Sequence, residues 1–223
     1  RIEKLNQIGK EEDADFIKAW LRGQYAKTIR ERKKGAEAKD FDRIGTEFHR
    51  WVRDNESKLG VNDQTGCIRF IEEDFDFYSK WYEAIRNASL TFTEGMEHIF
   101  YNAQIGFTQQ YQVLLAPLSK EDSEPTITDK LQAVATYLDI FLHRRMWNYR
   151  DNGYSTLSYH MFQLMLSIRH KPLSELVSIL HQRLSEETET FTNSRWAYHL
   201  HGMNKKHIKH LLARMTDYVE RQS

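Results

Sequence analysis

The chain reads as an all-α protein, an irregular multi-helix bundle, and three observations predict it. Apolar residues recur at helical spacing along nearly the whole length. Only 3 prolines and 10 glycines punctuate 223 residues, too few turn signals for a sheet-rich fold. No strand-like alternation is sustained, and no internal repeat of fixed period is visible. Roughly nine or ten helices are expected.

Taken in order, Ile17, Trp20, Leu21 and Tyr25 share one helical face ahead of the basic run Lys27 to Lys34. Asp40 reads as the N-cap of a helix carrying Phe41, Ile44, Phe48, Trp51 and Val52. A loop around Gly60 to Gly66 follows, and Cys67 to Ile71 is the one place where a short strand fits. Phe75, Tyr78 and Tyr82 then share a face, with Phe77 and Trp81 beside them. Thr91-Phe-Thr-Glu94 has the capping-box pattern and predicts a helix running past Ile99.

The stretch from Ala116 to Pro125 is polar and bracketed by prolines. It predicts one helical domain, 1–223, made of two sub-bundles, 1–116 and 126–223, joined by a loop at 117–125. Thr126-Ile-Thr-Asp129 is expected to open the strongest helix, whose stripe is Leu131, Val134, Leu138, Phe141 and Leu142. Leu157, Met161, Leu164 and Ile168 mark the next. Pro172 suits a first helical position ahead of Leu173, Leu176, Val177, Leu180 and Leu184. The last helix starts near Asn204 and carries Ile208, Leu211, Leu212, Met215 and Val219.

Composition narrows the function classes. Hydrophobic residues at 40% and aromatics at 13% supply a packed core and argue against disorder. The formal charge is 0, from 32 basic and 32 acidic residues, which excludes a uniformly basic coat but leaves local patches open. Cys67 is the only cysteine, so neither an internal disulfide nor a cysteine-based metal site can form. That fits a reducing, cytoplasmic setting. No apolar run reaches membrane-spanning length and no signal-peptide pattern is present. The chain opens on Arg1 with helical patterning almost at once, so it is expected to be a piece of a longer protein.

The chemistry-bearing residues do not assemble into a known signature. Ten histidines invite a metal reading, yet there is no His-Glu-x-x-His and no repeated Glu-x-x-His pair. Glu94 and His98, at i and i+4, are the nearest approach to a ligand pair. His199 and His201, and His207 and His210, are close in sequence, but lysines flank the second pair and would repel a cation. No nucleophile elbow, phosphate-binding glycine loop or dinucleotide fingerprint occurs. Cys67 is expected as a small buried side chain, and the carboxylates of Glu72 to Asp76 as the solvated first turn of a helix.

The basic segments carry the sharper expectation. Between Lys18 and Lys34 there are seven basic residues against one acidic, among them Arg30, Arg32, Lys33 and Lys34. Arg144, Arg145 and Arg150 interleave with Trp147 and Tyr149, a mixture suited to phosphate contact with nearby stacking. Lys205, Lys206 and Lys209 open the last helix, where exposed amides favour an anion. These ten residues are the candidate nucleic-acid contacts. The alternative is that they form solvated faces, with Arg144 and Arg145 in inter-helix ion pairs.

Several stretches together resemble a known family. The run from Leu21 to Gly35, then Lys39 to Val52, the helix from Lys130 to Arg145, and Leu211 to Glu220 look like the helical middle region of GmrSD-type restriction endonucleases, which act on modified DNA. In that family an N-terminal domain carries an Asp-Gly-Gln-Gln-Arg motif linked to nucleotide hydrolysis, and a C-terminal HNH-type nuclease cuts DNA. Neither motif occurs here. The resemblance implies a non-catalytic helical module between those two domains, in a protein that defends against phage. It implies DNA and the flanking domains as partners, no cofactor in this stretch, and nucleotide and divalent metal elsewhere in the whole protein. A helical protein-interaction or regulatory module unrelated to DNA is the competing reading.

Overall fold

In the computed structural model, residues 1–192, 199–202 and 204–222 are described. They form α1 (Ile2–Ile8), α2 (Glu12–Gln24), α3 (Asp40–Asp54), α4 (Glu56–Leu59) and α5 (Gln64–Arg69). A π-helical stretch, Phe70–Phe75, runs into α6 (Asp76–Leu90). Then come α7 (Glu97–Gln104), α8 (Gln110–Leu115), α9 (Glu124–Trp147), α10 (Tyr154–Ile168), α11 (Leu173–Glu186) and α12 (Lys205–Gln222). The fold is all-α, with no strand among the described residues.

The middle of the bundle is α9. Its expected stripe, Leu131, Val134, Leu138, Phe141 and Leu142, is essentially solvent-free, and α7, α8 and α11 pack around it. On the far side of α8 lies α2. Gly23 is the close approach there, since a Cβ would stand 2.8 Å from the Gln112 carbonyl oxygen. Gln24 Nε2 donates to the Leu115 carbonyl at 2.6 Å across the same contact. Arg169, just past α10, donates to the carbonyls of Gly23 (2.7 Å) and Ala26 (2.9 Å), so a cation closes the C-terminal end of α2.

Local boundaries depart from expectation for identifiable reasons. Asp40 is inside α3, not its cap; its carboxylate accepts from Lys27 N, Thr28 Oγ1 and Trp51 Nε1. The capping box at Thr91 does not open α7, which begins at Glu97 after a turn whose Gly95 has φ of 80°. The central helix starts earlier than Thr126, because Ser123 Oγ accepts from Thr126 N and Pro125 sits in the first turn. Pro172 stands one place before α11 as its cap residue.

Cys67 to Ile71 is helical, and the Cys67 thiol is exposed, donating to the Val61 carbonyl at 3.1 Å. The carboxylates of 72–76 lie largely in the π-helical stretch. Lys120 reaches Glu73 and Asp74, while Arg1 reaches Asp76.

Segment 117–125 does not divide the core. One hydrophobic cluster runs from Leu5 to Leu180, and Leu118 within the segment belongs to it. Lys130 explains why. Its side chain is 1% exposed, and its ammonium donates to the Pro117 carbonyl (3.0 Å) and to Asp122 (2.6 Å), which draws the segment onto α9.

Candidate nucleic-acid interface

Residues 27–39 cross the surface as a non-helical strap with a turn at residues 32–35. Two carboxylates at the head of α3 hold it: Asp40 accepts from Lys27 N at 3.0 Å, and Asp42 accepts from Arg30 N at 2.8 Å. Three donors on Asp40 outweigh the desolvation of its partial burial, so its pKa lies below the usual carboxylate value. Between strap and α10 is a cleft of about 720 Å³, lined by Lys27, Arg30, Arg32, Lys33, Tyr159 and Gln163. Arg32 Nη2 donates to the Thr156 carbonyl at 2.9 Å, and its guanidinium lies 5.8 Å from the Tyr159 ring centre. Arg30 faces Asp42 at 3.8 Å and Lys33 faces Glu31 at 2.8 Å, whereas Lys34 is exposed with no ion pair among the described residues.

The second basic segment is used differently. Arg144 Nη1 donates to the Leu184 carbonyl at 2.8 Å. Arg145 donates to Asn152 Oδ1 (3.0 Å) and to the Asp151 carbonyl (2.7 Å), with its guanidinium 5.5 Å from the Phe141 ring centre. Both are thus committed to backbone and side-chain oxygens near the ends of helices rather than to inter-helix ion pairs. Arg150 is more exposed and pairs with Glu189 at 2.5 Å.

Lys205, Lys206 and Lys209 are exposed at the start of α12, and none has an ion pair among the described residues. The turn ahead of them is built on buried Asn204, whose side chain accepts from His201 N and donates to the His199 carbonyl. A cleft of about 500 Å³ separates this turn from the second segment, with Tyr149, Arg150, Asp151, His201, Asn204 and His207 on its walls.

The three segments are therefore neighbours. Arg32 holds the Thr156 carbonyl, the Thr156 hydroxyl holds Asp151, Arg145 holds the Asp151 carbonyl, and Arg150 shares a cleft with the head of α12. The start of α10 is the hub, and Arg22 adds a further guanidinium there through the Tyr154 hydroxyl at 2.9 Å.

Of a second cluster, only His98 is among the residues singled out from sequence. Asp139 on α9 is nearly buried and receives Arg214 of α12 in a two-pronged pair, both contacts 2.8 Å, with His98 Nδ1 at 2.9 Å and His143 Nδ1 at 3.0 Å. Against the desolvation of burial, hydrogen bonds from His143, His98 and Arg214 hold its pKa well below the carboxylate range. Arg214 also stacks on Tyr101 (4.0 Å), whose hydroxyl donates to Asp217. The guanidinium only donates, so the His143 Nε2 at 3.3 Å from it must accept, which fixes the proton of that ring on Nδ1. The pairing of Glu94 with His98 suggested by sequence is replaced by Asp139, 41 residues on. The usable signal is the spacing of Asp139 and His143, at i and i+4 on one helix.

Comparison with protein-family models, with characterised proteins and with solved structures finds no match. Among the described residues no group of three or more His, Cys, Asp or Glu side chains is placed to hold a metal ion. No described helix is long and apolar enough to cross a membrane.

Proposed function

We propose that this chain is a helical connector that contacts DNA through one basic face, in a nucleotide-dependent restriction nuclease acting on modified foreign DNA. The convergence of three basic segments, distant from one another in sequence, around the start of α10 is the observation that carries the DNA reading. Sites for phosphate are supplied by cations left with little internal employment: Lys34, Lys205, Lys206 and Lys209, with Arg30, Arg32, Lys33 and Arg150 within reach of weak surface partners. Exposed Tyr154 and Tyr159 add stacking surfaces beside them. Arg144 and Arg145 leave the set of DNA contacts and become positioning residues for it. The placement between a nucleotide-hydrolysing domain and a nuclease, in the cytoplasm, rests on the family resemblance; nucleotide and divalent metal then belong to those domains.

The test is binding of a fluorescent DNA duplex across a salt series. Micromolar binding at low salt that falls steeply with salt is expected. Replacing Lys205, Lys206 and Lys209 together by alanine should lower the log–log salt slope by about 1 for each phosphate no longer engaged. No binding at low salt sinks the DNA reading and leaves a spacer. The protein-interaction reading keeps one observation in its favour, the outward apolar stripe of α12.

A further inference from the structure

Between α2, α6, α8 and the first residue of α10 is a cavity of about 320 Å³, within the range of small-molecule pockets. One wall holds a charged network that is complete in itself. Glu12, 5% exposed, accepts from the Tyr82 hydroxyl at 2.6 Å and from Arg86 Nη2 at 2.9 Å, and Arg86 Nη1 donates to the Tyr111 hydroxyl at 2.8 Å. At the head of α8 the accounting does not close. Gln109 and Gln112 also line the cavity and are 3% and 4% exposed. Gln109 Nε2 is spent on the Tyr154 carbonyl at 2.9 Å, its Oε1 has no partner, and Gln112 Nε2 has none either. Three residues apart, the two side chains are neighbours on one helix face. A buried acceptor and a buried donor thus stand together with unmade bonds, which folded proteins avoid unless the groups have another use. Buried atoms of Trp20, Asn102 and Gln110 also lack partners, but those residues do not line the cavity.

We propose that this cavity takes a nucleobase. The edge of a base sets a donor beside an acceptor in one plane, and a paired acceptor and donor of glutamine amides is the chemistry that reads adenine. The walls disfavour the alternatives. Glu12 and Asp15 would repel a small anion drawn to Lys18, Arg22 and Arg86. An apolar ligand would leave both amide atoms unpaired. An aliphatic amide has the same donor and acceptor but no ring for Tyr111 and Tyr154, which share the lining. The cavity also adjoins the basic face. Tyr154 is half exposed, and Arg22, another lining residue, donates to its hydroxyl at the start of α10. A base turned out of a strand lying on that face is therefore the source that fits the position, and a free nucleoside presents the same edge. The first source rests on the DNA reading; the pocket itself does not.

Two titrations test it. Fluorescence anisotropy compares a matched duplex with the same duplex carrying one unpaired adenine, and calorimetry follows adenosine, guanosine, cytidine and thymidine separately. The unpaired base should tighten binding about tenfold, since it needs no unpairing before it leaves the stack. Gln112→Met keeps the side-chain size and should abolish that difference. The melting temperature of the free chain should stay level or rise, because an unpartnered buried amide is gone. A glutamine with only a structural role would give the reverse, a lower melting temperature and an unchanged preference, and would overturn the proposal. Lys205→Ala, Lys206→Ala and Lys209→Ala together should weaken both duplexes and keep the preference. Nucleoside binding that Gln112→Met removes, with no duplex binding at all, upholds the pocket and sinks the DNA reading. Duplex binding without preference, and without nucleoside binding, upholds the DNA reading and sinks the pocket. A preference or a nucleoside affinity that survives Gln112→Met overturns the proposal as well.

Discussion

Asp139 has His98, His143 and Arg214 around it, and a carboxylate so placed responds to substitution unlike one at the surface. Asp139→Asn keeps the size and removes the charge, leaving the partly buried guanidinium of Arg214 without its counter-ion. Truncating one partner of such a pair costs about 2 kcal/mol or more, roughly thirtyfold in a local opening equilibrium. The loss should fall on α12, because α7, α9 and α11 share apolar contacts that do not pass through Asp139. Hydrogen exchange over residues 205–222 is the measurement: faster exchange there with α9 unchanged is expected, and uniform loss of protection across the bundle would contradict a local role.

The segment before α9 poses the same question for an element. Lys130 is buried with two partners, Asp122 and the Pro117 carbonyl, and their removal is not equivalent. Lys130→Met leaves a carbonyl unpaired and a shallow Asp122 free to reach water, at about 1 kcal/mol. Asp122→Asn strands a buried ammonium and should destabilise by about 3 kcal/mol, although Asp122 is the more exposed residue. Urea unfolding of both variants decides the order, and a larger loss for Lys130→Met would refute it. Legibility follows the same physics. The stripes of α9 and α10 can be read because each faces apolar neighbours, so periodicity and burial coincide. In α11 only Leu176 and Leu180 of the expected stripe are buried. In α12 the stripe points outward, because Asp139 and Tyr101 offer the helix a polar and aromatic seat that amphipathic patterning does not announce. Segment 117–125 is hard to read because its polar composition conceals Leu118 and the reach of Lys130. At the candidate interface, the basic residues can be named from sequence. Their convergence cannot, since Thr156 and Asp151 join them only in three dimensions.

For the molecule as a whole, acid acts on several histidines whose pKa burial lowers, His170 and His207 among them, and most strongly on two. His160 lies against Phe141, ring centres 4.5 Å apart, and desolvation, with Arg183 and Arg145 adding repulsion, lowers its pKa to about 4. His210 is lowered to about 4 as well, by desolvation first and then by Arg214 and His143. A histidine whose folded pKa is depressed binds its proton more readily in the unfolded chain. Its contribution is intact above about pH 6.5 and is lost as pH falls toward about 4. Asp139 acts in the same direction below that window, where its unfolded form begins to take a proton and its folded form does not. Glu187 opposes them, since burial raises its pKa and acid relieves the strain of its charge. The net effect is a fall in stability from about pH 6.5 to about pH 4, at most about 1.4 kcal/mol per pH unit for each histidine and less for His160, whose side chain remains 31% exposed. His160→Phe preserves the stacking, removes the proton site and leaves α12 untouched. Urea denaturation at stepped pH should therefore show a shallower acid decline in that variant, with stability at neutral pH unchanged or raised. A decline identical to the wild type would remove His160 from the acid response.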